Sequence, residues 1–335
     1  NGVILITTKK GSQGKPVVTI NSSFETSDVL RLPEWQNDFG MGWDGHHTFI
    51  ENGSWGPEFD GTLRPWGNIY NNSQKIKPFV ALPSNVYDFF EYGHKFNNSI
   101  EIAGGSEKNT YRASISYLNE DGIVPKNKDY LKRFTGQLHF TQKMGKLNLT
   151  GMALVSRNSN GFIPTGQSFS VMNNISQIPR DISIVGLRDY ETDPFDNLDY
   201  YFTPYGVINP YYVIDKQIAH AEGQKLISKL ELEYNIFDNL NIIYRLGYDG
   251  NDQEENIFFP RLVLTPGTPN YGEVSEPGYV ILGMTREYEL NNDILINYKK
   301  EIGKFGIDAI LGSNVMDTKL HSHSSTTRNL SLAEF

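Results

Sequence analysis

The feature that most constrains this chain is a two-residue hydrophobic period, which recurs in segments of about ten residues. Between residues 110 and 119 the two alternating sets are Tyr111, Ala113, Ile115 and Tyr117 on one side and Arg112, Ser114 and Ser116 on the other. Successive side chains of a β-strand point to opposite faces of the sheet. The pattern therefore predicts strands with one apolar and one polar face, each long enough to cross a bilayer at a tilt.

The same period returns along most of the chain. Further segments with it lie at residues 133–141, 147–155, 229–236, 240–249, 293–298 and 305–312. Together with a first strand near residues 17–26 and a strand that ends at the short connection 104–109, they predict nine strands, a single strand followed by four hairpins. We expect the apolar rows to face lipid and the polar rows to face the lumen, which assigns Tyr111, Ile115, Tyr234, Ile242 and Ile296 to lipid and Arg112, Glu233 and Arg245 to the lumen.

The connections between these segments alternate strictly between short and long. The short ones are residues 104–109, 143–146, 237–239 and 299–304, and the long ones are residues 28–98, 120–131, 157–224 and 250–285. A soluble β-sandwich gives no reason for this alternation, whereas an outer-membrane barrel has short periplasmic turns and long extracellular loops. We therefore predict an all-β fold, a partial antiparallel transmembrane β-barrel with about nine strands of a larger barrel.

The long loops show no clear period. We expect little regular structure in them, apart from one short helical stretch that folds back onto the barrel and is formed by Phe169, Met172, Ile175 and Ile178.

Composition is compatible with this fold and excludes some functions. Hydrophobic residues make up 38% of the chain and the mean hydropathy is -0.43, as expected when lipid-facing and water-facing residues alternate. No apolar run approaches the ~18 residues of a transmembrane helix. The net charge of -9, without a basic stripe, argues against nucleic-acid binding. The absence of Cys removes disulfide frameworks and zinc-finger spacings.

No arrangement of residues points to catalysis. The zinc-protease, nucleophile-elbow, Walker and dinucleotide-binding motifs are all missing, so we expect no enzyme activity and no cofactor. His321 and His323 place two imidazoles on one face of a strand, and Asp193, Asp196 and Asp199 offer oxygen ligands in a loop. We interpret the first group as a polar strand end and the second, which lacks EF-hand spacing, as a solvated acidic loop, and we expect no metal.

Aromatic residues are concentrated in the two longest loops. Flat aromatic faces stack on sugar rings, and exposed aromatic side chains anchor protein partners. The alternative is that these rings pack the loops against themselves. The candidates for substrate or partner contact are Trp43, Trp55, Trp66, Tyr201, Phe202 and Tyr205.

Several ordered motifs carry a resemblance to a known family. The first eleven residues, NGVILITTKKG, resemble the closing strand of the plug domain in SusC/RagA-like TonB-dependent transporters. The chain is similar to that family along essentially its whole length, and the further matches follow in the family's order: SWGP at 54–57, DG at 60–61, PW at 65–66, DFFE at 88–91, NNS at 97–99, GG at 104–105, YRAS at 111–114 and DGIVP at 121–125.

The resemblance implies a domain division and a function. Residues 1–14 would be the last strand of the plug and a linker, and residues 15–335 the N-terminal part of the barrel, in a chain cut from a longer protein. The whole protein would import a nutrient, an oligosaccharide or a peptide, across the outer membrane of a Gram-negative bacterium of Bacteroidota type. A SusD-like lipoprotein would cover the mouth, and TonB would act through the missing N-terminal region.

Two other functions compete with this one. A passive porin or adhesion barrel needs no TonB, and the plug-like residues 1–11 argue against it. A soluble carbohydrate-binding β-protein has no need of the short and long connections, and their alternation argues against it. The sequence identifies neither the cargo nor the oligomeric state.

Overall fold

The computed structural model describes residues 9–48, 51–166, 170–193, 195, 201–203, 207–262 and 277–331, with only the backbone at residues 68 and 201–203. In chain order the strands are β1 (Gly14–Ser27), β2 (Leu63–Tyr70), β3 (Ser73–Pro78), β4 (Gly93–Gly105), β5 (Asn109–Asp121), β6 (Tyr130–Met144), β7 (Leu147–Gly161), β8 (Tyr201–Thr203), β9 (Val207–Ile208), β10 (Ile218–Phe237), β11 (Leu240–Phe259), β12 (Tyr279–Ile302) and β13 (Phe305–Arg328). The α-helices are α1 (Val171–Gln177) and α2 (Pro210–Lys216), and single 3₁₀ turns occur at Pro125–Asn127 and Val185–Leu187.

Nine of the strands form one antiparallel sheet. Its order is β1-β4-β5-β6-β7-β10-β11-β12-β13, so each long strand pairs with the next long strand along the chain. This is the predicted single strand followed by four hairpins, and β1 and β13 form the two edges of the described sheet. Among the described residues, the helices are too short and too polar to cross a membrane.

The connections confirm the predicted alternation. The turns of the four hairpins are residues 106–108, 145–146, 238–239 and 303–304, and the long connections are residues 28–92, 122–129, 162–217 and 260–278. Two of the short turns begin with a glycine at positive φ, Gly145 at 59° and Gly303 at 61°. The commonest two-residue hairpin turns use this backbone conformation, and glycine adopts it without steric cost.

Strand register places the predicted apolar row on one face of the sheet. Ile115 pairs with Ile100 and with Gly136, and Tyr234 pairs with Ile242, which pairs with Ile296. Directly paired residues project to the same side. The outer face therefore carries an exposed apolar band, with members Val18, Ile20, Ile100, Ile115, Leu138, Val155, Leu230 and Ile294.

The opposite face carries paired charges. Glu231 accepts from Arg245 Nε at 2.7 Å and lies 2.9 Å from Lys229 Nζ. Glu233 accepts from the Nδ2 atoms of Asn241 at 2.7 Å and Asn148 at 3.3 Å. A one-residue slip in register would carry these groups into the apolar band, so the charges fix the register.

The long connections have the little regular structure that we expected, since most of their described residues lie outside helices and strands. They fold against one another around a shared hydrophobic core, hereafter the mouth cluster, which includes Val86, Phe89, Ile175, Ile182, Leu187, Ile208, Tyr211, Ile214, Phe259 and Leu262. They also contain the hairpins β2–β3 and β8–β9 and the two helices. The sequence did not predict this packing or the short elements in it, because each element is too short to show a period, while burial between connections stabilises them together.

Helix α1 confirms the expected helical stretch in residues 162–217. Ser170 caps it by accepting a hydrogen bond from Asn173 N at 3.1 Å. Ile175 is fully buried in the mouth cluster, whereas Met172 points outward. Phe169 lies outside the described residues.

Three buried asparagines hold the backbones of the mouth cluster together. Asn85 bonds to Ile182 O at 2.7 Å and Ile184 N at 2.8 Å. Asn174 accepts from Ile208 N at 2.9 Å, and Asn209 donates to Leu187 O at 3.0 Å. Buried polar side chains are retained when their hydrogen bonds are satisfied, and these amides satisfy backbone groups that the irregular chain leaves unpaired.

Candidate functional site

The structure separates the six aromatic candidates. Trp55 and Trp43 are 70% and 61% exposed and lie beside each other in the first long connection. Trp66 is partly buried and packs against the mouth cluster. For Tyr201 and Phe202 only the backbone of β8 is described, and Tyr205 lies outside the described residues.

Trp55 stands between two adjoining clefts. The larger one, hereafter the mouth cleft, has a volume of about 550 Å³ and is lined by Trp35, Gln36, Phe39, Gly45, Asn52, Gly53, Ser54, Trp55, Gly56, Ser176, Gln177, Ile178 and Arg180. The smaller one has a volume of about 330 Å³ and is lined by Trp43, Asp44, Gly45 and Trp55. Both volumes fall in the range of small-molecule sites, which is about 300–1,000 Å³.

Close backbone packing builds the wall that carries Trp55. Trp55 N donates to Gly42 O at 3.2 Å, and Gly56 N donates to Gly40 O at 3.0 Å. A Cβ at Gly56 would lie 2.3 Å from Met41 O, so this approach requires glycine. The backbone and the glycine of the SWGP motif therefore have a structural role, because they allow this close packing.

The side chains of the same motif have different roles. Ser54 Oγ accepts a hydrogen bond from Arg180 N at 3.0 Å and so joins the first connection to residues 162–217. Gly53 leaves room for the exposed Trp55 indole, because a Cβ at position 53 would lie 3.0 Å from Trp55 Cδ1. The motif thus holds the fold and displays one aromatic ring in the mouth cleft.

An amide pair adds polar groups to the mouth cleft. Asn52 Nδ2 donates to Gln177 Oε1 at 2.7 Å, across the boundary between the first connection and the end of α1. Within the described residues, Asn52 Oδ1 and Gln177 Nε2 have no further hydrogen-bond partner. The cleft therefore offers one free acceptor and one free amide donor beside its aromatic rings.

Arg180 is the charged residue of the mouth cleft and is only 4% exposed. Its Nε donates to Gln36 O at 3.0 Å, and its Nη2 bonds to Asn37 Oδ1 at 2.9 Å and Leu82 O at 3.2 Å. Its guanidinium carbon lies 5.8 Å from the ring centre of Trp35. Burial lowers the pKa of Arg180 from its usual value, because removal from water disfavours the cation. Arg180 thus joins three chain segments behind the cleft.

The neighbouring Asp181 fixes the base of the same region. Its carboxylate is fully buried, forms an ion pair with Lys77 of β3 and accepts from Met41 N at 2.8 Å. Nearby, burial and then the positive charge of Arg64 lower the pKa of His47. A neutral His47 can pack edge-on against Phe79, at 5.4 Å between ring centres.

The acidic and histidine groups noted in the sequence form no metal site in the described part of the chain. No cluster of three or more His, Cys, Asp or Glu side chains lies close enough together there to hold a metal ion. Asp193 is paired with Lys75 Nζ at 2.8 Å. Asp196 and Asp199 lie outside the described residues.

Sequence reasoning missed most of the mouth cleft. Trp35 and Phe39 share its loop with the candidates that were chosen, and a count of every aromatic residue near the SWGP motif would have included them. Gln177 and Arg180 carried no such signal, because they are more than a hundred residues away from Asn52 and Ser54 along the chain.

Known proteins resemble this chain in sequence and in fold. No family model matches it. TonB-dependent receptor P26 of Formosa agariphila is 21% identical over 312 residues, which cover 91% of this chain and 28% of the receptor. TonB-dependent receptor P3 of the same organism is 26% identical over 144 residues, which cover 40% of this chain and 11% of the receptor.

The solved structures of the RagAB peptide importer share the architecture. Its open-open state matches with a TM-score of 0.68 and 16% identity, over 97% of this chain and 37% of the importer chain. Its closed-closed state matches with a TM-score of 0.65 and 14% identity. The chain has the fold of a SusC/RagA-like TonB-dependent transporter. The chain spans 37% of the length of the solved importer chain and 28% of the length of receptor P26. The matched proteins are receptors and importers by name, not enzymes.

Proposed function

We propose that the whole protein imports a nutrient across the bacterial outer membrane, driven by TonB and assisted by a SusD-like surface lipoprotein. The observation that carries this proposal is the nine-stranded sheet with alternating short and long connections, which matches the RagAB importer over 97% of this chain. On this account the exposed apolar band faces lipid, and the mouth cluster lies outside the cell. The short turns then lie in the periplasm.

In this proposal residues 1–14 end the plug and residues 15–335 form the first part of the barrel wall. Residues 1–8 lie outside the described part. Residues 9–11 lie against the inner, charged face of the sheet, where Gly11 contacts the backbone of Tyr111. A chain segment on that face lies inside the barrel, where a plug belongs.

The mouth cleft is the proposed contact site for substrate, and its chemistry favours a saccharide. Trp55, Trp35 and Phe39 offer aromatic faces to the apolar faces of sugar rings. The free acceptor of Asn52 and the free donor of Gln177 suit hydroxyl groups, which both donate and accept. Tyr201, Phe202 and Tyr205 remain candidate contacts on the sequence alone.

A peptide is the second candidate, because the RagAB structures are described as those of a peptide importer. An extended peptide binds by adding a strand to an open backbone edge. In the wall of the mouth cleft, however, the backbone groups already have partners: Trp55 N bonds to Gly42 O, and Gly40 bonds to Pro57 O and Gly56 N. Among the described residues, the lining of the mouth cleft also includes no carboxylate for a peptide amino terminus, and Asp44 lines only the smaller cleft. Both observations favour the saccharide.

Uptake by intact cells tests the proposal. A strain that lacks the full-length gene is compared with its parent for uptake of fluorescent neutral oligosaccharides and of fluorescent peptides of similar mass. We expect loss of oligosaccharide uptake and unchanged peptide uptake, and co-purification of a SusD-like lipoprotein with the tagged transporter. Loss of peptide uptake alone would assign the peptide, and unchanged uptake of both would contradict import.

A further inference from the structure

The inner face of the sheet carries a polar cluster that the proposed function leaves unexplained. Arg112 of β5 and Glu101 of β4 form an ion pair there. His139 of β6 pairs in register with Arg112 and is only 3% exposed. An inner barrel face is normally in contact with water. A nearly inaccessible histidine on this face means that another part of the chain covers it.

Residues 9–11 lie at this cluster. Arg112 Nη1 donates to the backbone oxygen of Lys9 at 3.4 Å. A Cβ at Gly11 would lie 2.5 Å from Tyr111 O and 2.6 Å from Tyr111 N, which no real side chain tolerates. Gly11 therefore rests directly on the strand backbone, and a residue with a side chain would have to move away.

The cluster is not saturated by these contacts. Within the described residues, Arg112 Nε and His139 Nδ1 are buried without a hydrogen-bond partner. Native proteins contain few such atoms, because burying an unpaired polar group is unfavourable. Two of them on adjacent strands indicate a surface that receives further polar groups from whatever lies above it.

We propose that Arg112, positioned by Glu101, anchors residues 9–11 to the inner wall of the barrel. This inference rests on the proposed function, in which residues 1–14 end the plug. The acceptor is a backbone oxygen, so the contact depends on the path of the chain rather than on the side chain at position 9. The anchor holds the end of the plug in register with β5 when force is applied to earlier parts of the plug.

A second charged site on the inner face provides a matched control. Arg245 also pairs with a glutamate, Glu231, across neighbouring strands. No hydrogen bond or ion pair joins Arg245 to residues 9–11 in the described structure. Replacing Arg112 or Arg245 by methionine removes one guanidinium from the same kind of ion pair, but only the first change removes a contact to the plug end.

Trypsin cleavage of the folded full-length transporter in detergent tests the anchor. Lys9 and Lys10 are the cleavage sites, and mass spectrometry of the released fragments gives the rate at this position. We expect Arg112→Met to raise that rate about tenfold, near the lower end of the range for loss of a charged hydrogen bond. Glu101→Gln should raise it less, and Arg245→Met should leave it unchanged.

Gly11→Ala perturbs the same contact from the other side. It should raise the cleavage rate as well, and adding it to Arg112→Met should give little further increase, because the contact is already lost. Heat-modifiable migration confirms that each variant has a folded barrel, and if Arg112→Met fails to fold, Gly11→Ala alone decides the test. Equal rates in wild type, Arg112→Met and Gly11→Ala would overturn the anchor, as would equal acceleration by Arg245→Met. The assay uses neither substrate nor TonB, so its failure is distinct from a failure of import.

Discussion

Removal of the Trp55 indole should weaken saccharide binding without weakening the fold. A tryptophan side chain can bury roughly 200 Å², and Trp55 is 70% exposed in the free protein. A sugar ring stacked on one face would cover about half of that exposed area, roughly 70 Å². At about 25 cal/mol per Å² the lost contact is worth about 1.8 kcal/mol, or about a twentyfold increase in Kd for Trp55→Ala.

The assay is calorimetric titration of a neutral oligosaccharide into the full-length transporter in detergent. Tyr92→Ala is the matched control, because Tyr92 is 64% exposed in the same connection but lines neither cleft. Trp43→Ala should weaken binding less, since Trp43 borders only the smaller cleft. An unchanged Kd for Trp55→Ala, or an equal increase for Tyr92→Ala, would refute the assignment of the mouth cleft.

Three further predictions concern the wall and the mouth. Ile115→Arg on the apolar band should destabilise the barrel by about 2–4 kcal/mol, whereas Ser114→Arg on the inner face should be tolerated. Urea titration of the refolded barrel in liposomes measures both costs, and equal costs would contradict the assignment of the two faces. Lys77→Met leaves the buried carboxylate of Asp181 without its ion pair and should lower the free energy of unfolding of the mouth cluster by about 3–5 kcal/mol. The change should appear as faster proteolysis of the mouth cluster with the barrel intact, and unchanged proteolysis would contradict it. An epitope inserted at Asn72 should be bound by antibody on intact cells and one at Asp238 only after permeabilisation, and the reverse result would invert the barrel.

The barrel wall could be predicted from the sequence because its signal is local and repeated. A two-residue period identifies a strand from a few neighbouring positions, as between residues 110 and 119. The face of each strand followed as well, since a one-residue slip would have moved Tyr234, Ile242 or Ile296 to the opposite face from the one that the three residues share in the structure. The lengths of the connections then distinguished the end of the sheet that has short turns from the end that has long connections.

The mouth could not be predicted in the same way because its contacts join distant parts of the chain. Arg180 bonds to Asn37, 143 positions earlier, and Asn85 bonds to Ile184, 99 positions later. No local period records such contacts, and α2 has seven residues, too few to show a helical face. The SWGP motif marked the right loop, but only the structure distinguishes the hydrogen-bonding role of Ser54 from the exposed ring of Trp55.

The central claim, energised import through this barrel, is tested most directly by uptake of a fluorescent neutral oligosaccharide into cells that express the full-length gene. Uptake is measured before and after a protonophore collapses the proton motive force, with the deletion strain as background. The account predicts saturable uptake above background that falls to the deletion level once the proton motive force is gone. Uptake that continues unchanged after the collapse would show passive diffusion and would contradict a TonB-dependent transporter.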